Sequence, residues 1–161
     1  MFVENALRVL VTGGAGYIGS HACRMLRRQG CEVVVYDNLS TGHAFLAGDN
    51  ELVIGDIGDA AALTKALRGI DAVMHFAAFT YVGESVENPR KYYNNNATSA
   101  LVLLNSVIDA DVRNFVFSSS AAVYGTPAVV PITEEAPRCP INPYGATKLF
   151  METALEAYRR A

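Results

Sequence analysis

The chain has 161 residues, a net charge of −3, 51% hydrophobic residues and 18% charged residues. This balance excludes a disordered chain, and the length predicts one domain over residues 1–161, with a core that needs no disulfide or metal. Charges of both signs are scattered without a basic block, so we expect neither nucleic acid nor a membrane as a partner. The N-terminus lacks the basic-then-apolar order of a signal peptide, and no apolar run reaches membrane-spanning length.

The cysteines and histidines predict neither disulfides nor a metal site. An odd number of cysteines without a C-x-x-C pair is typical of free thiols in a reducing compartment, so we expect a cytoplasmic protein. The histidines show no metal-ligand spacing. Packing or surface roles are expected for all six residues, which are Cys23, Cys31, Cys139, His21, His43 and His75.

Short β-branched runs alternate with helical patterns along the chain. Five strands are predicted, at Leu7–Gly13, Cys31–Asp37, Leu52–Asp56, Asp71–Ala78 and Asn114–Ser120. Helices are predicted at Ser20–Gly30, at Ala61–Gly69, from an Asn88-Pro89 cap to about Ala110, and after a second cap at Asn142-Pro143. Five of the six prolines fall between Pro127 and Pro143, which indicates a long loop before the last helix.

This alternation predicts an α/β fold. Strand, helix and parallel strand form right-handed units, so helices should cover both faces of a parallel sheet. We expect a doubly wound sheet of the Rossmann type, with strand order 3-2-1-4-5. Ligands of such a sheet bind at the carboxyl ends of strands 1 and 4, where the winding reverses.

The segment VLVTGGAGYIGSHA, Val9–Ala22, follows the first strand and opens the first helix. Its glycines fit both G-x-G-x-x-G and G-x-x-G-x-x-G, and this context is typical of a loop that holds a dinucleotide pyrophosphate. A plain tight turn is the alternative, but it needs one or two glycines, whereas this loop has four. The Tyr-Lys pair described below favours the second register, in which Gly13, Gly16 and Gly19 matter and Gly14 is dispensable.

Two carboxylates end strands 2 and 3. Asp37 can accept hydrogen bonds from the adenosine ribose and repel a 2′-phosphate, and no lysine or arginine occurs in YDNLSTGHAF, so NAD is favoured over NADP. The alternative for Asp37 is a turn residue before Asn38. Asp56 can accept from the adenine amino group, and its alternative is a helix cap.

A second constellation, NPYGATK, places Tyr144 and Lys148 on one helix face. Tyrosine with a pKa of ~10 is a poor base at neutral pH, but a cation about 5 Å away contributes roughly 3 kcal/mol, or about two pKa units. The pair is therefore a candidate general base, the alternative being an ordinary exposed pair. At the end of strand 5, Ser118–Ser120 should meet the nicotinamide. Ser120 can hydrogen-bond a substrate hydroxyl or carbonyl, and its alternative is a polar strand end.

These motifs together resemble the extended short-chain dehydrogenase/reductase family. The glycine loop and Y-x-x-x-K are typical of the superfamily. HFAA, VGESVENP, YYNNN and FSSSAAVYG are similar to the sugar-nucleotide epimerases, UDP-glucose 4-epimerases in particular. The resemblance covers nearly the whole chain from Arg8 onward.

The resemblance implies retained NAD and epimerisation of a UDP-sugar, UDP-glucose or UDP-galactose, at carbon 4. Tyr144 would remove the proton of the 4-hydroxyl, Lys148 would lower the tyrosine pKa and hold the nicotinamide ribose, and Ser120 would position the hydroxyl. Hydride would pass to NAD and return to the opposite face of the 4-keto sugar. Besides Tyr144 and Lys148, the implied cofactor contacts are Gly13, Gly16, Tyr17, Ile18, Gly19, Asp37, Asn38, Ser40, Thr41, Gly42, Asp56, Ile57, Phe76, Ala77, Ala78, Thr80, Asn96 and Ser118.

Two features depart from the family. Thr80 stands where the better-known bacterial form has a lysine, which alters one cofactor contact. The family is about twice as long, so the resemblance covers its N-terminal half and leaves out the last strands of the sheet and the substrate domain. The sheet would then end at strand 5, and we expect that edge or the final helix to pair with another copy in a homo-oligomer.

Three functions remain open. The first is an epimerase, whose turnover would fall without remote substrate contacts. The second is an NAD-binding module without turnover. The third is another sugar-nucleotide oxidoreductase, a dehydratase or a reductase. The dehydratase is disfavoured because AAVYG, and not an Asp-Glu pair, follows the serines.

Overall fold

Five parallel strands form one sheet in the computed structural model of the protein, which describes residues 6–160. The strands are β1 Arg8–Thr12, β2 Glu32–Asp37, β3 Glu51–Ile54, β4 Ala72–His75 and β5 Asn114–Phe117. Their order is β3-β2-β1-β4-β5, which confirms the predicted doubly wound order. Within the described residues β5 pairs with β4 alone, so the sheet ends at strand 5 as expected.

The centre of the sheet is built from the most β-branched runs. Strands of a parallel sheet are buried on both faces, and β-branched side chains pack well on such a pleated surface. Val11 of β1 lies opposite Val35 of β2 in parallel register, and both are fully buried. The core cluster around them comprises Val9, Val11, Ala15, Cys23, Val33, Val35 and Ala47.

The described residues contain six α-helices. They are α1 Tyr17–Arg28, α2 Ala60–Ala66, α3 Val82–Glu87, α4 Pro89–Tyr93, α5 Ala100–Asp109 and α6 Pro143–Arg160. Helix α1 begins at Tyr17, three residues before the predicted start at Ser20. The backbone of Gly16 is extended, so Gly16 is the N-cap and the helix starts directly after it. Helix α3 lies in a stretch to which the sequence pattern assigned no element.

The long helix predicted after Asn88 is interrupted by a π-helical segment. Asn88 Oδ1 accepts a hydrogen bond from Lys91 N at 3.3 Å, and Pro89 follows in the first turn, which confirms the predicted cap. Between α4 and α5 the chain forms a π-helical segment at Asn94–Ser99. Such segments widen one turn of a helix and are frequent at functional sites.

The described chain divides into two compact units. The first comprises the residues up to Ala77 with Val102–Ser118, and it contains the whole sheet together with α1 and α2. The second comprises Ala78–Leu101 and the residues from Ser119 onward, and it contains α3, α4, the π-helical segment and α6. The single domain expected from chain length stays a prediction.

The structure shows the state of the three cysteines and the packing of His75, the one buried histidine. All three cysteines carry free thiols. His75 is buried, and its Nδ1 lies 2.7 Å from Thr12 Oγ1, which is a packing role. In the described part of the chain no three His, Cys, Asp or Glu side chains are grouped as metal ligands. No helix among residues 6–160 combines the length and the apolar composition that crossing a membrane requires.

Candidate functional site

The glycine loop of the first unit is shaped by close backbone contacts. Gly13 has φ +72°, and its N–H donates to Tyr36 O at 2.9 Å. A Cβ at Gly13 would lie 2.5 Å from Ala77 N, and a Cβ at Gly19 would overlap the Gly13 carbonyl. Both positions therefore require glycine for the fold itself.

Gly14 is also constrained, which corrects the expectation that it is dispensable. A Cβ there would lie 2.9 Å from Val11 O and 3.0 Å from a Val35 methyl carbon. Gly16 is the exception in this loop. Among the described residues beyond its immediate neighbours, its Cβ would meet only Gly13 O, at 3.2 Å. Position 16 is therefore the least crowded of the four loop glycines, although its one contact, to a backbone oxygen, is still tight.

The N-terminus of α1 is open to solvent at the same loop. No side chain caps this helix, and no acidic residue occupies its first turn. Tyr17 and Ile18, the first two helical residues, are 80% and 60% exposed although both are apolar or aromatic. A helix start with free N–H groups and the positive end of the helix dipole is suited to phosphate.

Asp37 ends β2 and ties the glycine loop to the next turn. Its Oδ2 accepts from Ala15 N at 3.0 Å and its Oδ1 from Leu39 N at 2.9 Å. The alternative of a turn residue is therefore correct, and it does not displace the ribose hypothesis, because each carboxylate oxygen can accept a second hydrogen bond. Gly42 lies against this carboxylate, since a Cβ there would be 3.0 Å from Asp37 Oδ1.

Asp56 follows β3 and forms a turn of its own. Its Oδ1 accepts from Gly58 N at 2.8 Å, and its Oδ2 accepts from Asn38 Nδ2 at 2.8 Å. The cap of α2 is Asp59, which accepts from Ala62 N at 3.0 Å, so the helix-cap alternative for Asp56 is wrong. The other predicted contacts of these loops are a buried Ile57 and the exposed residues Ser40 and Thr41.

The ends of β4 and β5 carry the remaining candidates of the first unit. Phe76 N donates to Thr12 O at 2.9 Å, which continues the ladder beyond β4. Ser118 N donates to His75 O at 3.1 Å in the same way beyond β5. Phe76, Ala77 and Ser118 are all half-buried, so they line the carboxyl edge of the sheet without being sealed in its core.

In the second unit, Tyr144 and Lys148 lie on the buried face of α6. Tyr144 is 9% exposed and Lys148 is 4% exposed, so the alternative of an ordinary exposed pair is wrong. Lys148 Nζ lies 6.0 Å from the centroid of the Tyr144 ring. Burial lowers the pKa of Lys148 from its ordinary 10.5 to about 8.

Ser120 ends the serine run and caps a short turn. Its Oγ accepts from Ala122 N at 3.2 Å, at the start of a 3-10 turn over Ala121–Tyr124. This bond uses an acceptor site and leaves the hydroxyl proton for a substrate oxygen. The preceding Ser119 donates to Glu152 Oε1 of α6, and Arg138 holds the other Glu152 oxygen at 3.0 Å.

Both polar atoms of the Asn96 side chain form hydrogen bonds with the protein's own backbone. Its Oδ1 accepts from Phe79 N and its Nδ2 donates to Phe79 O, both at 2.9 Å, in the manner of a paired strand. The side chain thus fixes the segment that carries Ala78 and Thr80. Ala78 is half-buried and Thr80 is exposed.

One residue of the second unit was not singled out from the sequence. Ser85 of α3 is fully buried, and its Oγ accepts from Tyr144 N at 3.2 Å. The stretch VGESVE is too short for a helical period, and its N-cap residue, Tyr81, makes no side-chain cap. Only a tertiary contact identifies this serine.

Comparison with known proteins shows extensive similarity. The model of the NAD dependent epimerase/dehydratase family matches residues 9–161. The UDP-glucose 4-epimerase of Lactobacillus helveticus is 54% identical over 149 residues, which cover 91% of this chain and 45% of that protein. The structure of UDP-glucose 4-epimerase from Brucella ovis in complex with NAD is 49% identical, with a TM-score of 0.95, over 97% of this chain and 49% of that one.

A third relative was solved with a sugar nucleotide. It is UDP-glucose-4-epimerase from Stenotrophomonas maltophila with bound NAD and formylated UDP-arabinopyranose, 42% identical with a TM-score of 0.92, over 94% of this chain and 48% of that one. The chain thus spans about half the length of the relatives it matches. The family match covers almost the entire chain, and the strand order agrees with it. The chain therefore belongs to the NAD dependent epimerase/dehydratase family.

Proposed function

We propose that the protein binds NAD and acts in the 4-epimerisation of a UDP-sugar, UDP-glucose or UDP-galactose. The observation that carries this proposal is the burial of Tyr144 and Lys148 together on α6, in a chain of this family. Relatives solved with NAD and with a UDP-sugar derivative support the choice of cofactor and substrate class.

The first unit supplies the cofactor contacts in this proposal. The less crowded position at Gly16 and the uncapped N-terminus of α1 fit a pyrophosphate, which needs close approach to backbone N–H groups. The carboxylate of Asp37 has acceptor capacity left for the adenosine ribose and would repel a 2′-phosphate, which favours NAD over NADP. Asp56, which accepts from Asn38 Nδ2 at 2.8 Å, would also accept from the adenine amino group.

The second unit supplies the proton transfers. Tyr144 would take the proton of the sugar 4-hydroxyl and later return it to the 4-keto oxygen. Lys148 would favour the phenolate by its charge, and Ser120 would hold the hydroxyl by donating its own proton to that oxygen. NAD, when bound, would supply a reversible acceptor for the hydride of the sugar carbon.

A cofactor-binding module without turnover is the second candidate. It needs only the cofactor contacts of the first unit, where the uncapped N-terminus of α1 and the Asp37 carboxylate fit a cofactor. A different sugar-nucleotide oxidoreductase would instead release an oxidised or reduced product.

Two further properties belong to the proposal. Three free thiols support a reducing, cytoplasmic location. The sheet edge at β5, where Val116 is 52% exposed, supports self-association into a homo-oligomer.

Native mass spectrometry of the purified 161-residue chain, followed by an assay with UDP-galactose, tests the whole proposal. We expect a mass increment equal to NAD, more than one subunit, and conversion of UDP-galactose to UDP-glucose without net change in cofactor. Bound NAD without conversion would favour the binding module. A chain that binds no NAD, alone or after incubation with it, would refute both candidates.

A further inference from the structure

The first turn of α6 has an unusual set of hydrogen-bond acceptors. A helix leaves the N–H groups of its first turn without intrahelical partners. Pro143 has no N–H, Gly145 N donates to Asn142 Oδ1 at 2.8 Å, and Ala146 N donates to Asn142 O at 3.0 Å. The N–H of Tyr144 is the remaining group, and its acceptor is Ser85 Oγ, from a different helix, at 3.2 Å.

The hydroxyl of Ser85 has a defined direction. It donates to Val82 O, one turn earlier in α3, at 2.6 Å. Its proton is therefore committed, and a lone pair is turned towards Tyr144 N. Ser85 is fully buried, so no water can take over this acceptor role without a rearrangement.

Helix α3 is itself held in place, which makes Ser85 a firm support. Glu84 accepts from Lys91 Nζ at 2.5 Å and from Tyr92 Oη at 2.8 Å, both from α4. Asn88 N also donates to Glu84 O, at 2.8 Å. The six-residue helix is thus pinned to α4 by the residue directly before Ser85.

The same turn also contacts the serine segment. A Cβ at Gly145 would lie 2.5 Å from Ala122 O, in the 3-10 turn that Ser120 caps. The first turn of α6 therefore contacts both Ser85 and the Ser120 turn. A shift of this turn would move Tyr144 relative to both Lys148 and Ser120.

We propose that Ser85 is a positioning residue for the proton transfer, in that its hydroxyl fixes the backbone of Tyr144 and thereby the place of the phenol. This role rests on the proposed function, since it assigns Ser85 to the tyrosine that does the chemistry there. Misplacement of a reacting group by about 1 Å can cost a hundredfold in rate. Ser85 does not touch the substrate, and its effect is exerted through Tyr144.

The direct test measures amide hydrogen exchange at Tyr144 by NMR in the full chain. In Ser85→Ala we expect the Tyr144 amide to exchange about tenfold faster, because its acceptor is lost. Ser106→Ala is the matched control, since Ser106 is also buried and its Oγ donates within its own helix, to Val102 O at 2.9 Å. That control should leave the Tyr144 amide unchanged. Equal exchange in the parent and in Ser85→Ala would overturn the proposal.

The functional arm measures transfer of hydride to bound NAD, followed as reduced nicotinamide, with UDP-galactose as substrate. Ser85→Ala should lower the rate constant about ten- to a hundredfold and leave the affinity for NAD and the KM for the sugar nucleotide within about twofold. Ser85→Thr, which keeps a hydroxyl able to bond to the carbonyl one turn earlier, should restore most of the rate. A variant Ser85→Ala with the parent's rate, or one that loses rate and NAD affinity in proportion, would contradict positioning.

The two proposals fail in different ways. If the parent chain transfers no hydride, the proposed function alone is refuted. The exchange rate of the Tyr144 amide then still decides whether Ser85 fixes the backbone of Tyr144. If the parent is active, faster exchange of the Tyr144 amide in Ser85→Ala together with an unchanged rate of hydride transfer in that variant would refute the positioning role alone.

Discussion

Lys148 holds its ammonium group 6.0 Å from the ring centroid of Tyr144, and both side chains are more than nine-tenths buried on one face of α6. The four-residue spacing brings them to the same face, but only the packing of the second unit buries them. Burial of a lysine costs folding free energy, because the charged form loses hydration. A buried lysine beside a buried tyrosine is therefore expected to serve a chemical purpose and not stability.

Lys148→Met should make the protein more stable at neutral pH. The lowering of the Lys148 pKa from 10.5 to about 8 corresponds to roughly 3 kcal/mol of destabilisation at pH 7. We expect the free energy of unfolding to rise by about 1–3 kcal/mol, measured by urea denaturation, while hydride transfer falls. Lys65→Met, at an exposed lysine of α2, controls for the loss of a surface charge. A less stable Lys148→Met would contradict the account.

The difference in unfolding free energy between the parent and Lys148→Met should depend on pH. Between about pH 8 and 10.5 the unfolded parent keeps the Lys148 proton and the folded parent does not, so this group makes the parent more stable as pH rises. The stability advantage of Lys148→Met should shrink over that window and vanish near pH 10.5. Burial also raises the pKa of Cys23 to about 11, but that thiol is common to both proteins and cancels in the difference.

Tyr144→Phe should abolish hydride transfer with UDP-galactose, because a phenyl ring cannot take the hydroxyl proton that the proposal assigns to Tyr144. NAD should still bind, and stability should change little, since the phenyl ring fills the same space. Tyr93→Phe, at a tyrosine of α4 that is 44% exposed, is the matched control. A Tyr144→Phe protein with the parent's rate would remove Tyr144 from its assigned role.

Gly16→Val should abolish NAD binding and leave the fold intact. The added Cβ would lie 3.2 Å from Gly13 O, a tight contact without the overlaps found at Gly13, Gly14 and Gly19, and the side chain would occupy the space that a pyrophosphate needs. We expect cooperative unfolding as in the parent and at least a hundredfold loss of NAD affinity by calorimetry. Gly83→Val, where an added Cβ meets nothing within 4 Å, should leave both properties unchanged. Gly14→Val, in contrast, should destabilise the fold, because its Cβ would lie 2.9 Å from Val11 O.

Asp37→Asn should lower both the stability of the fold and the selectivity for NAD over NADP. The amide offers one acceptor oxygen for two buried backbone N–H groups, so we expect a loss of about 1–3 kcal/mol in unfolding free energy. Removal of the negative charge should also narrow the preference for NAD over NADP in binding assays. Asp59→Asn makes the same change at the α2 cap, where asparagine is an equally good residue, and should alter neither measurement. Unchanged stability and selectivity in Asp37→Asn would argue against both roles.

Local sequence signals predicted the five strands and the two Asn-Pro helix caps, but not the start of α1 or the existence of α3. The β-branched runs of β1 and β2 are buried on both faces, which is a property that the sequence displays directly. The Asn142-Pro143 cap is confirmed, because the capping bond to Gly145 N at 2.8 Å spans only three residues. The same local signals offered Asp56 as an alternative cap of α2, which is wrong. Asp59, three residues later, directly precedes the helix and caps it, whereas Asp56 accepts from Gly58 N.

The amino-acid sequence by itself determined the order of strands and helices, the glycine loop and the spacing of Tyr144 and Lys148, because each depends on neighbours within a few residues. Only the tertiary structure decided that Gly14 is more crowded than Gly16, that the Tyr-Lys pair is buried, and that Ser85 accepts from the Tyr144 N–H. These last properties join residues far apart in the chain, such as positions 85 and 144, and no local propensity or spacing reports which backbone will lie beside which.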